Sequence, residues 1–292
     1  MKLIKTLFFT ISAALMMCVN ASAYDNISFH CATDTTRINE LLSTPQLEAM
    51  SRSERVAFFA RQFVGCPSNI KSEILESDTA VFTLNVHSFN PLSLISTCIA
   101  LAQAYETSSA PGWRDYADKY ESVMYKGGKV GDFVSRFLYS SDWIADNIFR
   151  ENVKDGTQRI ELNIRKKEKS IDYISRNRSA IKALSDSATF ERLKMLEMGF
   201  RNHQIPYITN GDLTNSKRFK DLAKDGDIFF FLAPDYNLDS REMGVLTIEG
   251  DKLLIIQVSP TLEKVVIETL PFEAYVKRYI KKIKGARIIR VE

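Results

Sequence analysis

The residues best suited to chemistry beyond the first two dozen positions are three cysteines, Cys31, Cys66 and Cys98, and three histidines, His30, His87 and His203. A thiolate beside an imidazole can attack a carbonyl and relay a proton, and the same atoms ligate zinc. No two of the cysteines stand at zinc-ligand spacing, and the histidines are scattered. Neither a metal nor a cofactor is therefore expected. An odd cysteine count in an exported chain allows one disulfide and leaves one thiol, and spacing alone does not choose the pair. Cys98 falls seven positions after Pro91, two helical turns or roughly 10 Å deeper on nearly the same face. A thiol there behaves as a small inert hydrophobe. Cys66 precedes Pro67 and reads as a loop thiol, while His87 closes an extended segment and could line a cleft.

The stretch HSFNPLSLISTCIALAQAY (87–105) shows which element would position such groups. Asn90 followed by Pro91 is a helix start. The Asn side chain can accept from an orphan backbone N–H, and proline at the first helical position gives up an N–H that had no partner. The spacing predicts a helix from Pro91 to about Tyr105, with Leu92, Ile95, Ile99 and Ala102 on one buried face. A thiol at such a start gains from the positive end of the helix dipole, which lowers its pKa. Proline offers no nucleophilic atom at all.

The first 23 residues form a unit of their own. Lys2 and Lys5 precede a largely apolar run from Leu7 to Val19, and Ala21-Ser22-Ala23 offers the small residues that a signal peptidase reads. We read 1–23 as a signal peptide, so the chain is expected to be exported, periplasmic or extracellular. The apolar run is short for a bilayer, and no second stretch of about 20 apolar residues follows. No stable membrane insertion is expected. Two of the 39 basic residues leave with that segment, against 36 acidic ones, so the mature charge is about +1. Nothing in that balance argues for a nucleic-acid partner.

After the leader, residues 24–36 are polar and read as poorly ordered, and 24–52 reads as a polar segment plus a helix. The main domain is placed at 53–292. Helical patterns cover 37–64, broken at STPQ and SRSE, and "AVFTLNVHSF" (80–89) alternates like an extended segment. Further helices are expected at Trp113 to Met124 and through most of 140–205, with RKKEK (165–169) as a solvated face. From Gly226 the character changes to short β-rich runs: DIFFFLAP, MGVLTIEG, KLLIIQVS, KVVIETL and ARIIRVE. The run KRYIKKIKGAR (277–287) resembles the end of an amphipathic helix stopped by Gly285. Helices followed by strands imply an α+β class.

In this order the pieces resemble a family of secreted bacterial cysteine hydrolases, the N-acetylmuramoyl-L-alanine amidase-like proteins. The motifs are RQFVGCP followed by LE, LNVHSFNPLSLISTCIALA, YKGGKVGDFVSRFLYSSDWIADNI (125–148), DGDIFFF, LDSREMGV, LIIQVS and GARIIRV. The resemblance implies an NlpC-type, papain-like fold, with a helix-rich first part packed on an antiparallel sheet from the C-terminal part. It also marks departures. The family opens its helix with Asp-Cys, the cysteine being the nucleophile, where this chain has Asn90-Pro91. The family's strand histidines fall at Glu242 and Gln257. A further histidine falls at Leu138, the helix glutamate at Ser96, and a tyrosine at Ser68.

The resemblance therefore implies a scaffold without its cysteine machinery. Asn90, Pro91, Leu138, Glu242 and Gln257 would mark the vestigial site, and Ser68, His87 and Ser259 would help to line a cleft. The expected ligand is a peptide, such as a peptidoglycan stem peptide. Two alternatives stand beside this reading. One is an active amidase or peptidase with a relocated site drawn from Cys66, His87 and Glu242; the other is a surface that recruits a protein partner. If the first reading holds, the amino end of the 91–105 helix should face Glu242 and Gln257 across an open groove.

Overall fold

The computed structural model describes residues 27–70 and 81–292. The leader at 1–23 and the LE pair at 75–76 lie outside the described residues. Helices α1 (Asp34–Leu42), α2 (Arg52–Gln62), α3 (Pro91–Ala104), α4 (Trp113–Met124) and α5 (Ser140–Phe149) fill the first half. Later come α6 (Ser187–Met198), α7 (Ser216–Leu222) and α8 (Phe272–Arg278). No described helix is long and apolar enough to cross a membrane.

The β-rich runs after Gly226 become β6 (Ile228–Leu232), β7 (Ser240–Glu249), β8 (Lys252–Ser259), β9 (Lys264–Ile267) and β10 (Gly285–Arg290). They join β4 (Ile164–Lys169) and β5 (His203–Thr209) in the order β4-β5-β10-β6-β7-β8-β9, with the short β3 (Lys154–Asp155) paired to β10. Every pair in this sheet is antiparallel. The mixed α and β composition and the antiparallel sheet match the expected class.

Strand β6 shows how one sheet serves two cores. Ile228 and Phe230 point into a core shared with α2, α3, α4 and Trp143. Phe229 and Phe231 point the other way, toward Phe219 of α7 and Phe272, Tyr275 and Val276 of α8. The strand is apolar throughout because both faces are covered. The turn before it depends on Gly226 at φ +88°, where a Cβ would sit 1.8 Å from the Ser53 carbonyl oxygen.

Helix α3 starts as its sequence dictates. The Asn90 side chain accepts from the Ser93 N–H at 2.8 Å, and Ser93 Oγ accepts from the Asn90 N–H at 2.9 Å. Pro91 takes the first position. The expected single buried face is exceeded, because every residue from Ser93 to Ala104 is buried. The helix runs between α2, α4 and the sheet, and its small residues Ser93, Ser96, Ala100 and Ala102 let those neighbours approach on all sides.

Other expectations need correcting. The 27–36 segment is ordered: β1 (Ser28–Phe29) pairs in parallel with β2 (Thr83–Leu84), and α1 begins at Asp34. Within 81–89 the strand is limited to β2. Ile38, Leu42 and Leu47 bury in the same core as α2 and α3. RKKEK lies on β4, an edge strand whose charged side chains discourage further pairing. Its last residue, Lys169, is buried, and Nζ donates to the carbonyls of Ala233, Asp235 and Leu238 at 2.5–2.6 Å. The helix before Gly285 ends at Arg278, and Gly285 instead opens β10, where a Cβ would meet the Ile208 carbonyl oxygen at 2.3 Å.

Candidate functional site

A cleft of about 810 Å³ opens at the amino end of α3. Asn90, Pro91 and Leu92 form one wall, and the segment Arg136 to Ser140 that leads into α5 forms the opposite one. Pro67, Ser68 and Asn69 add to the lining, and Arg241 and Met243 contribute from β7 within the sheet. Tyr120, Met124, Tyr125 and Phe133 add apolar surface. An apolar concavity with a few fixed polar groups is the usual form of a small-ligand or peptide site.

Several polar groups of the walls are held in place. Arg241 donates from Nε to Asp235 Oδ2 at 2.9 Å. A register shift opposite Phe231 and Leu232 leaves Arg241 beside the cleft, the kind of bulge that re-aims a side chain. Ser140 Oγ donates to Asp239 Oδ2 at 2.8 Å, and Tyr139 OH donates to Glu197 Oε1 at 2.7 Å. Burial pushes the Tyr139 hydroxyl far above the usual phenol range, so it stays a neutral donor.

The structure brings four of the sequence-derived positions to this cleft: Ser68, Asn90, Pro91 and Leu138. Glu242 and Gln257 do not join them, which corrects the expectation that they face Pro91. Alternation along β7 and β8 turns both toward the α8 side of the sheet. There Tyr275 OH donates to Glu242 Oε2 at 2.9 Å. Gln257 Nε2 donates to Tyr275 OH at 3.0 Å and to Glu268 Oε1 at 2.8 Å. Burial raises the Tyr275 hydroxyl well above its ordinary value. Ser259 caps the turn after β8, its Oγ accepting from the Leu262 N–H at 3.2 Å. On β7 the cleft takes Met243 and Arg241 instead, and sequence reasoning missed both. A one-residue offset is all that separates the two faces.

His87 lies behind the cleft wall. Its Nδ1 is 3.0 Å from Arg37 Nη1 and its Nε2 is 3.3 Å from Thr33 Oγ1. Burial and the Arg37 charge hold this imidazole below the ordinary histidine value. The thiols are dispersed. Cys98 is fully buried, and burial pushes its pKa far up. Cys66 Sγ accepts from Arg37 Nη2 at 3.5 Å, and Cys31 Sγ is 3.1 Å from Thr33 Oγ1. All three cysteines are free. Among the described lining residues of the cleft there is no cysteine, and the imidazole there is His30.

The family model for N-acetylmuramoyl-L-alanine amidase-like proteins (AmiA-like) matches residues 58–283. The chain belongs to the N-acetylmuramoyl-L-alanine amidase-like family. The match runs from within α2 through α8 and includes every lining residue of the cleft except His30, so the cleft is built from family-matched chain. Among solved structures, the chain is similar to an N-acetylmuramoyl-L-alanine amidase from Bacteroides uniformis, with TM-score 0.73 and 22% identity over 82% of this chain and 99% of that one. It is also similar to a Legionella pneumophila protein, with TM-score 0.67 and 20% identity over 88% and 94% of the two chains. At these identities the likeness establishes the fold. No curated protein matches the sequence. Family and fold together make this a cell-wall amidase-like protein.

Proposed function

We propose that this is an exported amidase-like protein that binds a peptide or peptidoglycan fragment in the α3 cleft without hydrolysing it. The single observation that carries the reading is Pro91, which lines the cleft from the first position of α3. Attack on an amide needs a nucleophile and a base that takes its proton. Proline supplies neither, and His30 has no thiol beside it in the lining. The papain-like, NlpC-type arrangement is the fold that the sequence resemblance implies, and the seating of α3 against β7 supports it. Export rests on the leader-like residues 1–23, and the kind of ligand on family membership.

One thiol does approach an imidazole, Cys31 near His87, and this would favour a relocated hydrolase site. Its geometry argues against that use. Arg37 can only donate, so Nδ1 of His87 accepts, and Nε2, on the Thr33 side, carries the ring proton. In that state the ring's lone pair, on Nδ1, is engaged by Arg37 and is not free to take a thiol proton. Cys66 touches the same guanidinium, and Glu242 is on the other face of the sheet.

The test uses the purified mature chain and defined muropeptides. The expected result is retention of the fragment with no new amine or free stem peptide by mass spectrometry. Filling the cleft with Ser68→Trp should abolish retention. Cleavage that disappears after thiol alkylation would overturn the proposal in favour of the relocated enzyme.

A further inference from the structure

We propose that Cys31, Asp34 and His87 form a zinc site that staples the amino-terminal segment to the loop behind the cleft. Their sulfur, carboxylate oxygen and imidazole nitrogen lie within 4.8 Å of one another, although 52 residues separate Asp34 from Val86, the residue before His87. This is a mixed S, O and N donor set of the type that zinc accepts. With bonds of about 2.0–2.3 Å, the edges of a zinc tetrahedron span roughly 3.3–3.8 Å, and His87 Nε2 is already 3.7 Å from Asp34 Oδ1. Thr33 Oγ1 now bridges the sulfur and the imidazole, and the metal would replace that bridge.

Asp34 is the independent observation that points to a cation. It is fully buried. Its Oδ2 accepts from the Cys31 N–H at 2.6 Å and its Oδ1 from the Val86 N–H at 3.2 Å. Those bonds aim the carboxylate and tie together the two segments that supply the other ligands. Among the described residues its ion-pair partner is His87 alone. A fully buried carboxylate held in place by two backbone N–H groups, with a thiol and an imidazole within reach, is the arrangement that a bound cation completes.

Arg37 competes with the metal. For Nε2 to ligate, the ring proton must move to Nδ1, where it would point at the guanidinium 3.0 Å away. The thiol proton leaves to solvent. Arg37 must therefore turn aside, toward the Phe63 ring and Cys66 that it already contacts. The staple would hold the 27–34 segment against 84–88, next to His30 and Ser88 in the cleft wall.

Titration of the full mature chain with Zn²⁺ against a chelating dye tests this. One equivalent should bind, and Co²⁺ in its place should give a thiolate charge-transfer band. Cys31→Ser and His87→Ala, each checked by circular dichroism, should weaken binding at least about tenfold. Arg37→Met should tighten it by a similar factor. Absence of stoichiometric binding by the unaltered chain overturns the proposal, as does binding that neither ligand variant weakens. Weaker binding by Arg37→Met would overturn the assigned competition.

Discussion

Two polar groupings flank β7, one on each face of the sheet, and they are built on opposite terms. At the amino end of α3, Asn85, Ser88, Asn90, Arg136 and Arg241 line an open concavity with apolar walls. Across the sheet, Glu242, Gln257, Glu268 and Tyr275 satisfy one another under α8. The first grouping offers surface to a ligand, whereas the second spends its hydrogen bonds internally. On the proposed reading, similar residue types serve recognition on one face and architecture on the other. The difference lies in whether a helix covers them.

Variants on each face can break or sharpen this contrast. The largest effect is expected from Phe231→Ala on the closed face. Phe231 is fully buried and stacks on Tyr275 with centroids 6.0 Å apart, so its removal should cost about 3–5 kcal/mol in denaturant unfolding. The folded fraction should keep its affinity for muropeptide. Tyr275→Phe deprives Glu242 and Gln257 of a shared partner and should cost about 1–3 kcal/mol. If that variant lost ligand instead of stability, the closed face would be the binding site and the contrast would reverse.

Asn90→Ala touches both stability and recognition. Loss of the cap to Ser93 should cost about 0.5–2 kcal/mol, read as a lower unfolding midpoint, together with weaker retention of a fragment by the altered cleft wall. The smallest change is expected from Pro91→Ala, less than about 1 kcal/mol, mainly through a freer unfolded chain. Turnover should not appear, and fragment affinity should fall only slightly as the cleft wall loses the ring. A large gain in either would show that proline blocks something the remaining residues can still do.

Much of this architecture is legible in the sequence where a single local rule decides. The Asn90-Pro91 start, the span of α4 from Trp113 to Met124 and the five strands after Gly226 all follow from caps, periodicity and turn residues. Strand β4 was hidden because RKKEK carries edge-strand charges that read equally well as a solvated helix. The face assignment was hidden for a different reason. Phe229, Phe230 and Phe231 are all apolar, so β6 gives no alternation to orient its neighbours. A resemblance at Glu242-Met243-Gly244 cannot say which of two adjacent side chains meets the cleft. The approach of Cys31 and Asp34 to His87 is set by β1 pairing with β2, a contact of two residues per strand that leaves no pattern to read.

The most direct measurement is a crystal structure of the mature chain grown with an uncleaved muropeptide. The account predicts electron density for an intact amide lying between Pro91, Leu138 and Met243. Density for separated fragments, or for a ligand seated at Glu242 and Tyr275, would contradict it.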